Sequence, residues 1–193
     1  MTLCPLVLAA GQGSRFGVGS KLLAELGGRP VLGRVFDRLR EAGLEAGFVA
    51  VPDDAERFAA LKPLIPAGFE AVILPPQPMG MGVSLAALAA RVRPGEAALM
   101  VMGDQPLLTQ AALAALLEHQ SGERIARLCC GEQAGHPVLF PNRFVPALRT
   151  LSGDEGPRAL LQQHGYQRVE VDDPLVLCDV DTPEALKHLQ AYV

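Results

Sequence analysis

The chain has 193 residues, 49% of them hydrophobic and 20% charged, with a formal net charge of −4. Those proportions describe an ordinary globular protein able to bury its own core, read here as one domain over residues 1–193. No apolar run approaches the ~20 residues of a membrane span and no basic stripe marks a nucleic-acid surface, so neither membrane nor nucleic acid is an expected partner.

The opening MTLCPLVLAAG lacks the basic n-region of a signal peptide, and the expected location is cytoplasmic. Cys4, Cys129, Cys130 and Cys178 have no CxxC spacing and read as small buried hydrophobes in a reducing compartment.

In chain order, CPLVLAA (4–10) reads as a buried strand and VLGRVFDRLREAG (31–43) as a helix, with Val31, Leu32, Val35, Phe36 and Leu39 at helical spacing. AGFVAVP, EAVILP, AALMVM (97–102) and RIARLCC follow as strands. They alternate with the helical stretches DAERFAALKPL, VSLAALAARV and TQAALAALLEHQ (109–120). Continuously apolar strands alternating with helices predict a doubly wound, mainly parallel α/β sheet with helices on both faces. Beyond residue 131 the spacing predicts strands at HPVLF, RVEVDD and LVLCDVD, a short helix in GDEGPRALLQQHG and a closing helix in TPEALKHLQAYV. Thr182 and Pro183 are the N-cap and first-position signals of that last helix.

Ligands of open α/β sheets bind beyond the carboxyl ends of the strands. After the first strand comes a loop with Gly11, Gly13, Gly17 and Gly19 together with Arg15 and Lys21. Glycine amides and two cations suit a phosphate chain, although neither the P-loop nor the GxGxxG pattern is present. After AALMVM comes GDQPLL, where Asp104 is a candidate ligand for a hard cation or, alternatively, an N-cap or turn aspartate. Asp179 and Asp181 end a further apolar run in CDVDTPEAL, and one of them either completes a magnesium site with Asp104 or caps the last helix. LPPQPMGMG (74–82) is either a stiff turn or a lid over the site, with Met79 and Met81 as its apolar members.

The ordered set LAAGxGxRFG…K, GMGVSL, GDQPL, GHPVLF, SGDEGPRALL and DVDTPEAL resembles the molybdenum cofactor nucleotidyltransferases, most closely the cytidylyltransferase branch, from Leu8 to Leu186. The resemblance implies that an N-terminal nucleotide-binding part precedes a C-terminal acceptor-binding part. It places Arg15 and Lys21 on the nucleotide phosphates, Ala9, Ala10 and Gly11 beside the base, Gly13 in the nucleotide-binding signature loop, and Gly82 and Ser84 at the base or ribose. Asp104 and Asp181 would hold Mg²⁺ or Mn²⁺, with Arg15, Lys21 and Asp104 catalytic. His136, Asp154 and Arg158 would meet the acceptor. LAAG in place of LAGG favours CTP over GTP. Where relatives often carry a basic residue before the GHP motif, this chain has Ala134.

The implied reaction joins CMP from CTP to the phosphate of the molybdenum cofactor and releases pyrophosphate. A molybdenum hydroxylase apoenzyme or its maturation chaperone is the implied downstream partner. A nucleotidyltransferase acting on a sugar or polyol phosphate and a noncatalytic cofactor-delivery protein are the alternatives.

Overall fold

The computed structural model describes residues 2–11, 13–16, 20–75 and 80–193. Gly17 and Gly19 of the first loop, and 76–79 of the expected lid with Met79, lie outside the described residues. The strands are β1 (Leu3–Leu8), β2 (Glu25–Leu26), β3 (Arg29–Pro30), β4 (Gly47–Pro52), β5 (Phe69–Leu74), β6 (Ala97–Met102), β7 (Ala126–Cys130), β8 (Gln133–Phe140) and β9 (Gln167–Glu170). The helices are α1 (Val31–Glu41), α2 (Ala55–Leu61), α3 (Met81–Ala89), α4 (Gln110–Leu117), α5 (Val145–Leu148), α6 (Arg158–His164) and α7 (Pro183–Leu189).

Seven strands form one sheet in the order β5-β4-β1-β6-β8-β7-β9, while β2 and β3 make a separate two-stranded ribbon. Successive side chains of a strand point to opposite faces, and the two apolar layers follow that alternation. Val7 of β1 and Ala9 just beyond it pack with Leu32, Val35, Phe36 and Leu39 of α1 and with Leu113 and Leu116 of α4. Leu6, Leu8 and Ala10 pack instead with Leu85 and Leu88 of α3, Leu148 of α5 and Leu161 of α6. Helices therefore cover both faces, which is why the central strands are apolar without interruption. Among the described residues no helix is long and apolar enough to cross a membrane.

Of the strands expected beyond residue 131, HPVLF forms and LVLCDVD is corrected. HPVLF belongs to β8, which runs antiparallel to both β6 and β7. The left-handed Gly131 (φ +54°) allows a two-residue hairpin between Cys130 and Gln133, so the chain turns straight back instead of crossing over. LVLCDVD is not a strand. Asp173 accepts a hydrogen bond from the Leu175 amide and, with Pro174, starts a 3-10 turn over Pro174–Leu177, beyond which the chain runs extended into the site. Val176, Leu177 and Val180 are buried there all the same, which explains their strand-like composition.

A third apolar cluster positions the site. Phe16, Leu26, Val31, Val180 and Leu189 pack together, joining the turn at Ser14–Phe16 to the C-terminal helix α7. Arg15 neighbours Phe16 and Asp181 neighbours Val180, so this packing brings their side chains together. The Thr182 side chain accepts from the Ala185 amide and caps α7, as its sequence signal predicts.

Candidate active site

Three chain segments meet at the carboxyl ends of β1 and β6. The Gly103 amide donates to the Leu8 carbonyl (3.0 Å) and the Val180 amide donates to the Asp104 carbonyl (2.9 Å). Gln105, fully buried, donates through Nε2 to the Leu177 carbonyl (3.2 Å). The Asp104 turn is thus bracketed by the first strand on one side and the 177–181 segment on the other. A side chain at Gly103 would crowd the Leu8 carbonyl, which accounts for the glycine.

Lys21 Nζ donates to Asp104 Oδ2 and to Asp181 Oδ1 (2.9 Å), and Arg15 Nη2 pairs with Asp181 Oδ2 (2.9 Å). The sites differ in exposure: the Lys21 and Asp104 side chains are 14% and 9% exposed, whereas Arg15 is 74% exposed. Ser20 prepares Lys21 for this position, since its carbonyl accepts from the Leu23 and Ala24 amides and folds the chain into a turn. Asp179 sits in the same acidic cluster, and burial together with the charge of Asp104 pushes its carboxyl up to about 6.

A cleft of about 680 Å³ opens over this cluster. Ala9, Ala10, Gly11, Arg15, Lys21, Ser84, Asp104, Asp154 and Asp181 line it, so the structure brings nine of the expected residues to one place. Two glycines are not on its wall. Gly13 takes a left-handed φ of +63° behind the stem of Lys21. Gly82 donates its amide to the Gly153 carbonyl (2.9 Å), and a side chain there would strike the backbone of Ser152. Close packing of α3 on the 152–153 loop accounts for glycine at this position. Ser84 hydrogen-bonds the Gly80 carbonyl (3.0 Å) from the cleft side.

His136 and Arg158 lie apart from Asp154, in an adjoining cavity of about 350 Å³ that shares Met81 with the main cleft. His136 is part of strand β8 and not of a turn, and burial followed by the charge of Arg127 lowers its pKa to about 4. Sequence reasoning passed over two arginines. Arg57 of α2 donates to the Gly11 carbonyl (2.9 Å) and steadies the glycine loop. Arg127 of β7 lines the second cavity. Neither belongs to a motif, and only the sheet order reveals what they face.

The donor set suits a hard divalent cation. Asp104 Oδ1 is buried without a hydrogen-bond partner, a costly state for a carboxylate oxygen unless something coordinates it. Among the described residues no three acidic, histidine or cysteine side chains form a ready-made cage. Magnesium ordinarily takes one or two carboxylates and completes its shell with phosphate oxygens and water, which two aspartates beside a glycine-rich loop would permit.

The model of the MobA-like NTP transferase domain matches residues 5–184. Nicotine blue oxidoreductase of Paenarthrobacter nicotinovorans is 27% identical over 194 aligned residues, covering 95% of this chain and 94% of that protein. Rv0371c of Mycobacterium tuberculosis superposes with a TM-score of 0.85 at 27% identity, covering 98% of this chain and 97% of its own. A manganese complex of Rv0371C superposes at 0.81 and 25% identity over the full length of both chains.

Proposed function

The chain belongs to the MobA-like NTP transferase domain family, and from that premise we propose that it is a CTP-dependent nucleotidyltransferase that joins CMP to the phosphate of the molybdenum cofactor and releases pyrophosphate. The observation that carries the reading is the partly buried meeting of Asp104, Asp181 and Lys21 beside the glycine loop. Attack of a phosphate monoester on the α-phosphorus of a nucleoside triphosphate needs no protein nucleophile. It needs positioning and neutralisation of charge on the leaving group.

In this reading Arg15 and the loop amides from Gly11 onward hold the β and γ phosphates, while Lys21 turns from its two carboxylates toward the α-phosphorus. Asp104 and Asp181 would hold Mg²⁺ or Mn²⁺, which would supply Lewis-acid charge to the phosphate oxygens. The manganese complex of Rv0371C supports a divalent cation on this fold. Small side chains at Ala9 and Ala10, both buried, leave room for a base at the end of β1. Asp154 faces the acceptor across the cleft, and the neighbouring cavity with His136 and Arg158 takes its distal part. Transfer to a sugar or polyol phosphate is the same chemistry with a different occupant of that cavity.

The kinship with a nicotine blue oxidoreductase favours a second reading, redox chemistry on the same scaffold. Pyrophosphate release separates the two. CTP, GTP, ATP and UTP are each incubated with purified molybdenum cofactor and Mg²⁺. Pyrophosphate with CTP at least ~10-fold above GTP supports the proposal, since a base pocket ordinarily discriminates by a few kcal/mol. Equal use of GTP removes the cytidine preference, and no pyrophosphate from any pair removes the transferase.

A further inference from the structure

The smaller cavity contains a cation that no motif announces. Arg127 on β7 donates through Nε to the Gly135 carbonyl (2.8 Å) and through Nη2 to the Ala134 carbonyl (3.1 Å). Its guanidinium also lies 5.4 Å from the centroid of the Tyr166 ring, a cation–π distance that holds its plane. Two of its five N–H groups are used in these bonds, leaving three for a ligand. Among the described residues neither Arg127 nor Arg158 makes an ion pair.

Besides the two arginines, the titratable groups lining the cavity are His136, Glu155 and Tyr166. His136 is neutral near neutral pH, because burial and the adjacent Arg127 hold off its proton. Two arginines against one glutamate leave the cavity positive. A fixed, half-buried guanidinium without a counter-charge is a poor structural element and a good anion seat. Its bonds to the Ala134 and Gly135 carbonyls also place positive charge in space beside Ala134, where the sequence itself carries none.

We propose that Arg127 selects the acceptor by binding an anionic group that lies distal to the phosphate reacting in the main cleft. The substrate class is then a phosphate monoester with a second, separated anionic or strongly accepting group. A neutral sugar phosphate would leave Arg127 unanswered. The proposal rests on the transferase reading for the identity of the reacting end, while the anion seat stands on its own geometry.

The probe is pterin-6-carboxylate, a planar fluorescent anion with no phosphate, titrated into the wild-type protein, R127Q and R127K. CTP is titrated separately, and a thermal melt checks that each variant is folded. The wild-type protein should bind the probe saturably. R127Q should bind it at least ~10-fold more weakly, the usual loss for a charge-assisted hydrogen bond, with CTP affinity unchanged. R127K, which keeps the charge without the fork, should fall between them. R158Q, at the start of α6, should weaken the probe as well without touching β8. Saturable binding that R127Q leaves intact, or no saturable binding by the wild type, overturns the proposal. If R127Q weakens the probe while the wild type releases no pyrophosphate with any acceptor, the transferase reading falls and the anion seat stands. Normal acceptor KM in a folded, pyrophosphate-releasing R127Q keeps the transferase and overturns the role of Arg127.

Discussion

Lys21 Nζ lies 2.9 Å from Asp181 Oδ1, joining residues 160 apart in sequence, and the same ammonium donates to Asp104. Burial works against the charge of Lys21, but the charges and hydrogen bonds of Asp104 and Asp181 outweigh it and hold its pKa above the ordinary lysine value. The ammonium therefore occupies the space between the two carboxylates that a divalent cation would also seek. In the proposed reading Asp104 and Asp181 would hold the cation in that seat, and Lys21 would then be free to face phosphate.

Lys21→Met separates these two roles. Removing the competitor should tighten Mn²⁺ binding in the absence of nucleotide by roughly 10-fold, because two carboxylates then repel each other without an internal counter-ion. Turnover with CTP should nevertheless fall by at least ~10², the cost of losing a cation aimed at the reacting phosphates. Electron paramagnetic resonance of free Mn²⁺ reads the first effect and pyrophosphate release the second. Weaker Mn²⁺ binding in the variant would mean that Lys21 organises the carboxylates and does not compete for them.

Asp104→Asn keeps the shape of the turn and removes the charge. The Asp104 carbonyl still receives the Val180 amide, so the fold should survive. Turnover should drop by at least ~10² and should not be restored by raising Mg²⁺, since a neutral amide is a weak ligand for a hard cation. A variant with near-normal turnover would place the metal elsewhere.

Much of this site was legible because parallel strands deliver their ends to one edge. GDQP after β6 and the glycine loop after β1 follow apolar runs, and adjacency of β1 and β6 in the sheet makes them neighbours. The 177–181 segment was legible only in part. Its carboxylates stood out, but buried Val176, Leu177 and Val180 imitate a strand while Asp173 and Pro174 impose a turn. Arg127 was invisible because it sits within a strand whose partner could not be assigned before the antiparallel β7–β8 hairpin was known. At Gly82 the sequence could not show the packing: its motif neighbours Met81 and Ser84 line the cleft, and the close approach of the 152–153 backbone supplies a steric reason for glycine there.

Arg15→Lys tests the exposed side of the cleft. Arg15 reaches Asp181 from open solvent, so the pair contributes little to stability and opens readily for a ligand. A guanidinium can grip two phosphate oxygens at once and an ammonium cannot. The variant should keep its melting temperature, bind CTP about 10-fold more weakly, and bind the acceptor as before. Separate titrations of CTP and acceptor read the two affinities. Lost acceptor binding with intact CTP binding would assign the loop to the other substrate.

His136 sets a pH dependence of stability that its own replacement should erase. Its pKa is about 4 in the folded protein against an ordinary 6.5, owing first to burial and then to Arg127. Between those values the unfolded chain takes up a proton that the folded one refuses, so this group's contribution is full above about pH 6.5 and is lost progressively toward pH 4. The slope is at most about 1.4 kcal/mol per pH unit. Asp179 works in the opposite sense, because its raised pKa of about 6 lets the folded protein hold a proton that the unfolded chain has released. Comparing wild type with His136→Asn cancels that background. Urea unfolding at about pH 7 and about pH 5 should show the wild-type protein losing more stability than the variant over this interval, even if His136→Asn is less stable overall. Parallel losses would mean that His136 accepts its proton in the folded state as readily as in the unfolded one, and that the cavity it lines is open to water.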